Sequence, residues 1–139
     1  MFVMVIPRRP ISANRGPNPK FSQALETAAR NRNAQTIAGP LYARIIWFHK
    51  YPTTQDADNI AKRILDSLKG VVYVDDNAVT HCLTARVDAT VDYELSDAPA
   101  SDADYDDLLQ LLADDDQRDV LYVEIGHRKS TTVSFGEVI

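Results

Sequence analysis

A single cysteine, Cys82, means that no internal disulfide can staple this chain. A lone thiol fits a reducing compartment, so the expectation is a cytoplasmic protein with Cys82 as a small buried hydrophobe. Long apolar runs are also missing. Ile45–Phe48 is far too short to span a membrane. Met1–Ile6 is too short for a signal core, and its arginines follow it rather than precede it. The chain therefore reads as soluble, with no membrane partner. Glycine is scarce, at 5 residues, and none of it forms a phosphate-cradling loop, which removes P-loop nucleotide hydrolysis. His49, His81 and His127 match no zinc spacing, and no Cys-His pattern for nucleophilic catalysis is found. His49 and His81 read as strand residues with satisfied rings.

What is present is an ordinary globular composition. Of 139 residues, 45% are hydrophobic and 25% charged, so one domain over residues 1–139 can form a core without staples. A chain of this size buries about 68–70% of its unfolded surface. The net charge of −5 at first argues against a nucleic-acid partner. Its distribution argues otherwise. Residues 1–50 carry eight Lys/Arg and one acid, whereas residues 91–119 carry one base and eleven acids. A basic face with an acidic appendage has this asymmetry. Arg8, Arg9, Arg15, Lys20, Arg30 and Arg32 are candidates for phosphate contacts, with ordinary solvated charge as the plain alternative.

The pattern along the chain predicts an α+β fold, a mixed sheet of about four to five strands packed with two main helices. Met1–Ile6 is a strand, and four prolines in 7–20 make a basic loop containing the turn Asn14-Arg15-Gly16-Pro17. Phe21, Ala24, Leu25 and Ala28 recur at helical spacing and predict a helix over 21–33. Leu41–Lys50 suits a central strand covered on both faces. A second helix runs from Ala57 or Asp58 to Lys69, with Asp before it and Gly70 after it. Val79–Tyr93 predicts a long strand, Val120–Ile125 another, and Val133–Ile139 a last one. Residues 91–119 form an acidic insertion, in which Leu108, Leu109, Leu111 and Leu112 suggest a short helix.

Asp56-Ala57-Asp58-Asn59 is the segment richest in chemistry. Two carboxylates in extended chain would share a face and suit Mg²⁺ or Mn²⁺, which take carboxylates, waters and phosphate oxygens. The bland reading is a helix N-cap with a second, solvated acid. On the following helix, Ile60, Ile64 and Leu68 gather on one face, while Asn59, Lys62 and Asp66 fall together on another, within about 60°. Lys62 there either reaches a phosphate or pairs with Asp66. Asp75-Asp76-Asn77 has the composition of a turn. Counted as calcium loops from Asp56 or from Asp102, the sequence has Ala61 and Ser67, or Asp107 and Ala113, where Gly and Glu are needed.

Taken together, Asp56-Ala57-Asp58-Asn59, Lys62, Asp66-Ser67-Leu68, Gly70 and then Asp75-Asp76 before a β-segment resemble the RusA family. Pro10-Ile11-Ser12-Ala13-Asn14 is similar to that family's N-terminal Pro-x-Ser-x-Asn element, and Tyr122–Ile125 to its closing strand. The resemblance implies a homodimeric, Mg²⁺-dependent endonuclease that resolves Holliday junctions by paired nicks in DNA recombination and repair. It implies that Asp56, Asp58 and Asp76 are catalytic metal ligands and Lys62 a catalytic lysine. Asn59, Asp66 and Asp75 match motif positions as supporting residues, and Arg8, Arg9, Asn14, Arg15 and Lys20 are the DNA-binding candidates. The chain departs from the family in its acidity and in the insertion at 91–119. Two further readings stand beside the first. One is a non-catalytic relative whose acidic segment masks the basic face or meets a protein partner. The other is a general nuclease without junction preference.

Overall fold

The structure, a computed structural model, describes residues 1–96, 101–129, 133, 135 and 136. Four strands form one sheet: β1 (Phe2–Ile6), β2 (Leu41–His49), β3 (Val79–Asp88) and β4 (Asp119–His127), in the order β1-β4-β2-β3. β4 pairs antiparallel with β1 and β2, and β2 pairs parallel with β3. This is the mixed α+β sheet that the sequence predicts. β1, β2 and β3 all run the same way, so the loops after β1 and β2 leave from the same end of the sheet.

Alternation along the strands makes two cores. One face carries Met4, Leu41, Ile45, Trp47, Leu121, Val123 and Ile125, covered by α1 (Pro19–Asn31) and α2 (Ala57–Leu68). α1 begins two residues before the predicted start because Asn18 caps it, its Oδ1 accepting the Phe21 N–H at 3.0 Å, with Pro19 at the first position. It buries Phe21, Leu25 and Ala29. α2 buries Ile60, Ile64 and Leu68, as their spacing requires, each worth roughly 1.5–3 kcal/mol of apolar burial. Gly70, at φ +82°, turns the chain out of α2 into Val71–Tyr73, which is buried against the same core.

The other face holds Val3, Val5, Phe48, Val120 and Tyr122 under α3 (Asp102–Ala113), which buries Leu108. The short helix expected inside the insertion is therefore a third layer, not a loose appendage. Arg32, at the C-terminal end of α1, reaches round to it: Nη1 donates to the Val3 carbonyl at 3.1 Å and to Asp104 at 2.5 Å, and Nη2 lies 3.5 Å from Asp107.

Two expectations are corrected. β3 ends at Asp88, not Tyr93, because the Asp88 carboxylate accepts the Thr90 hydroxyl at 2.6 Å and the Thr90 N–H at 2.9 Å, turning the chain. Those bonds hold the Asp88 carboxyl below its ordinary value. Cys82 is exposed, not buried. It lies on β3, an edge strand most of whose residues are exposed or half-buried, since neither helical layer fully covers it. The last strand expected at 133–139 lies mostly outside the described residues. Among the described residues, no helix is long and apolar enough to cross a membrane.

Candidate functional site

The loops leaving β1 and β2 converge at the start of α2. After β1, the chain makes a 3-10 turn over Ala13–Arg15, capped by buried Ser12, whose Oγ accepts the Asn14 N–H at 3.2 Å. After β2, the chain reaches Gln55, which is held from both sides. Its side-chain amide donates to the Pro10 carbonyl at 3.0 Å, and its own carbonyl accepts Arg86 Nη1 from β3 at 2.7 Å. Gln55 thus ties both loops and the edge strand together one residue before Asp56.

Asp56 is the N-cap of α2 by position, in extended backbone, yet its side chain makes no cap bond. Asp58 lies in the first helical turn, so the two acids do not share the extended strand geometry that was one expectation. Both are exposed, and neither forms an ion pair with a described residue. Negative charge at a helix N-terminus is favoured by its dipole, which lets two acids sit this close without a protein cation.

Two clefts border this point. The smaller, about 270 Å³, is lined by Arg9, Ser12, Asn14, Arg15, Asp56 and Asn59, with Thr53, Thr54 and Gln55. The larger, about 840 Å³, lies between the 13–19 loop, α1 and α2, and Asn59, Lys62, Arg63, Asp66 and Lys69 form its α2 side. Asn14 and Asn59 line both, so the clefts meet across them. Lys62 is exposed, lines the larger groove and forms no ion pair with Asp66 or any other described residue.

Not all the candidates gather here. Asp75 caps the 3-10 turn Asp76–Ala78, accepting the Asn77 N–H at 3.3 Å. Asp76 is exposed and lies 3.4 Å from Lys69 Nζ, just past the C-terminal end of α2. α2 has 12 residues and is about 18 Å long, so Asp56 and Asp58 stand at one end and Asp76 near the other. Accordingly, among the described residues no three His, Cys, Asp or Glu side chains are grouped to hold a metal ion. The pair Asp56 and Asp58 does have the right donor chemistry for Mg²⁺, which is bound through one or two carboxylates with water and phosphate completing the shell. Of the basic candidates, Arg9 and Arg15 line the smaller cleft, whereas Arg8 and Lys20 line neither. Arg30 is paired with Glu26 and Arg32 with α3, so both are committed to intramolecular ion pairs.

Three features were not singled out by reading the sequence. Arg63 is 7% exposed; its Nη2 donates to the Ser12 carbonyl at 2.8 Å and to the Gly16 carbonyl, fastening the N-terminal loop to α2. Lys69 links the groove to Asp76. Tyr51 lies between Arg9 and Arg118, each 5.3 Å from its ring centre, and its hydroxyl donates to Asp119 at 2.5 Å. Burial, with that bond to a carboxylate, pushes the Tyr51 hydroxyl up to about 12. Arg9 is thereby positioned by an aromatic face as it enters the smaller cleft.

No curated protein matches this chain. The family model of endodeoxyribonuclease RusA matches residues 18–92, a segment that takes in α1, β2, α2 and β3 and stops before α3. With more than half of its length matched, the chain belongs to the endodeoxyribonuclease RusA family.

Proposed function

We propose that this protein is an Mg²⁺-dependent endonuclease (Mn²⁺ also suits its donors) that cuts phosphodiesters in four-way DNA junctions. One observation carries the reading: Asn14, Asp56, Asn59, Lys62 and Asp66, drawn from separate parts of the chain, line two clefts that meet at Asn14 and Asn59. Family membership supplies the class of reaction. Asp56 and Asp58 would hold the ion. When bound, such an ion lowers the pKa of water and neutralises charge on phosphate oxygens. Lys62 brings to the groove an ammonium that no described carboxylate engages, and it can offset charge developing on the phosphate or the leaving oxygen. Asn14 and Asn59 can donate to the scissile region from opposite walls. Arg9 and Arg15 bind backbone phosphates flanking it.

Asp76 is proposed as the third catalytic carboxylate on resemblance alone. Asp66 and Asp75 support the groove and the turn, respectively. Paired nicking calls for a homodimer with two such sites. The reading is tested by incubating labelled four-way, flap and duplex DNA with the protein, with and without Mg²⁺. The four-way junction should be cut in metal and spared without it. Equal cutting of all three would leave a general nuclease, and no cutting with intact binding would leave a binding protein. Asp56→Asn should abolish cleavage and leave junction binding in place. Asp76→Asn, assayed alongside, decides whether that acid acts with the pair at the far end of α2.

A further inference from the structure

The larger groove has a feature that cleavage chemistry does not require. Arg63 forms part of its wall, is more than nine-tenths buried, and pairs with no described carboxylate. Two carbonyls satisfy Nη2, but Nε is buried with no hydrogen-bond partner. A buried cation is normally paired, because removal from water disfavours its charge strongly. Arg63 lines the groove. A second, separate feature faces the same space. Pro17, Asn18, Pro19 and Ser22 line the groove, so the N-terminus of α1, 13 residues long with no acid in its first turn, opens onto it. Helix N-termini favour anions through their dipole and any N–H left open; at α1 Pro19 has none and Asn18 accepts those of Phe21 and Ser22, so the dipole and the Lys20 N–H are what the groove meets.

Two acids also line the groove. Glu26 is held by Arg30 at 3.0 Å. Asp66 remains, set against Lys62 and Arg63, while Lys69 is engaged by Asp76. The groove therefore keeps a net positive charge that the protein does not neutralise.

We propose that this groove is a phosphate subsite, seating one phosphodiester of the DNA strand between Arg63 and the first turn of α1. The assignment rests on the DNA reading above and deepens it: a strand entering the cleft at Asp56 continues across Asn59 into the groove. Arg63 acts twice, fastening the Ser12–Gly16 loop through Nη2 and compensating the phosphate with its charge.

Because Arg63→Leu also loosens that loop, the main variant is Ser22→Asp. An acid in the first turn of α1 suits the helix dipole; it forfeits the 3.0 Å bond between the Ser22 and Ser67 hydroxyls, but Ser67 Oγ keeps the one that it donates to the Arg63 carbonyl at 2.7 Å. The fold should survive, as urea unfolding checks, while the groove becomes hostile to phosphate. Binding of a four-way junction is measured in Ca²⁺ across a range of salt, and inorganic phosphate is titrated into the full chain by NMR. In wild type, phosphate should shift the amides of Lys20, Phe21 and Ser22. Ser22→Asp should abolish that shift, weaken junction binding about tenfold, and reduce the salt slope by about one phosphate contact. Arg63→Lys should keep most of the slope that Arg63→Leu loses. If the junction is bound and cut but Ser22→Asp keeps the full affinity and slope, the subsite is refuted and the nuclease reading stands. If DNA is neither bound nor cut but phosphate still shifts those amides, the subsite stands and the nuclease reading falls.

Discussion

At the residue scale, the useful distinction is between charges that the protein spends on itself and charges that it leaves open. Arg30 and Arg32 are spent, whereas Lys62, Asp56 and Asp58 form no ion pair with any described residue. Lys62→Met should therefore change stability by less than about 0.5 kcal/mol, because an exposed, unpaired ammonium is lost. Its kcat on a cleavable junction should fall by about 10²-fold with KM nearly unchanged, the pattern of a group that acts mainly in the transition state. Single-turnover kinetics would measure it, and a change confined to KM would place Lys62 in ground-state binding instead. Tyr51 gives a second test. Its folded pKa, about 12, lies above the ordinary 10.0, so the neutral hydroxyl is what the fold favours. The stabilisation is full below pH 10 and is lost as pH rises through 12. Tyr42, whose hydroxyl donates to Glu124 at 2.6 Å, is likewise pushed up to about 12, mainly by burial. A tyrosinate absorbance titration should show late-titrating groups near pH 12, and Tyr51→Phe should remove one of them.

At the element scale, the helices were legible because each has an apolar stripe and clear ends. Ile60, Ile64 and Leu68 fix the buried face of α2, and Gly70 ends it. The strands were legible as segments, but their partners were not, since pairing joins residues far apart in sequence: Leu41 meets Val79 on one side and His127 on the other. This is why the exposure of Cys82 was missed. Whether a β-branched or thiol residue is buried depends on which strand lies at the edge, and that is a property of the sheet. Arg63 was missed for a similar reason. It lies about 40° round α2 from Asn59, between the polar and apolar faces, and nothing local reveals that its partners are the carbonyls of Ser12 and Gly16. The short helix in the insertion was expected from its leucines, but its docking was not. Leu108 is 4% exposed between α3 and the sheet, so Leu108→Ala should destabilise the protein by about 2–5 kcal/mol. Asp104→Ala, which strips a half-buried Arg32 of its 2.5 Å partner, should remove about 1.5–3 kcal/mol. Urea unfolding would measure both. If neither variant shifts the midpoint, α3 is an appendage after all and not a layer of the fold.

At the scale of the whole molecule, the question is how a chain of net charge −5 would bind a polyanion, as the proposed function requires. The layers answer it. α1 and α2, with the clefts between and beside them, cover one face of the sheet; α3 covers the other. The acids of α3 are thereby separated from the groove by the thickness of the sheet and a helical layer, roughly 10 Å for each packed layer. Screening acts over about 8 Å at physiological ionic strength, so charge on α3 is largely invisible from the groove there. This arrangement argues against the insertion as a mask over the basic face. It also leaves the acidic surface of α3 facing away from the groove. Neutralising Asp106, Asp114, Asp115 and Asp116 to Asn together, all exposed, should then leave junction affinity within about twofold at physiological salt. At low ionic strength, where the Debye length grows to about 30 Å, the same variant should bind measurably tighter, because the whole-molecule field is no longer screened. A mask in contact with the basic face predicts a different pattern, a large gain in affinity that persists at physiological salt. Fluorescence anisotropy with a labelled four-way junction at two ionic strengths separates them, and the persistence of the gain, not its size at low salt, is the deciding quantity.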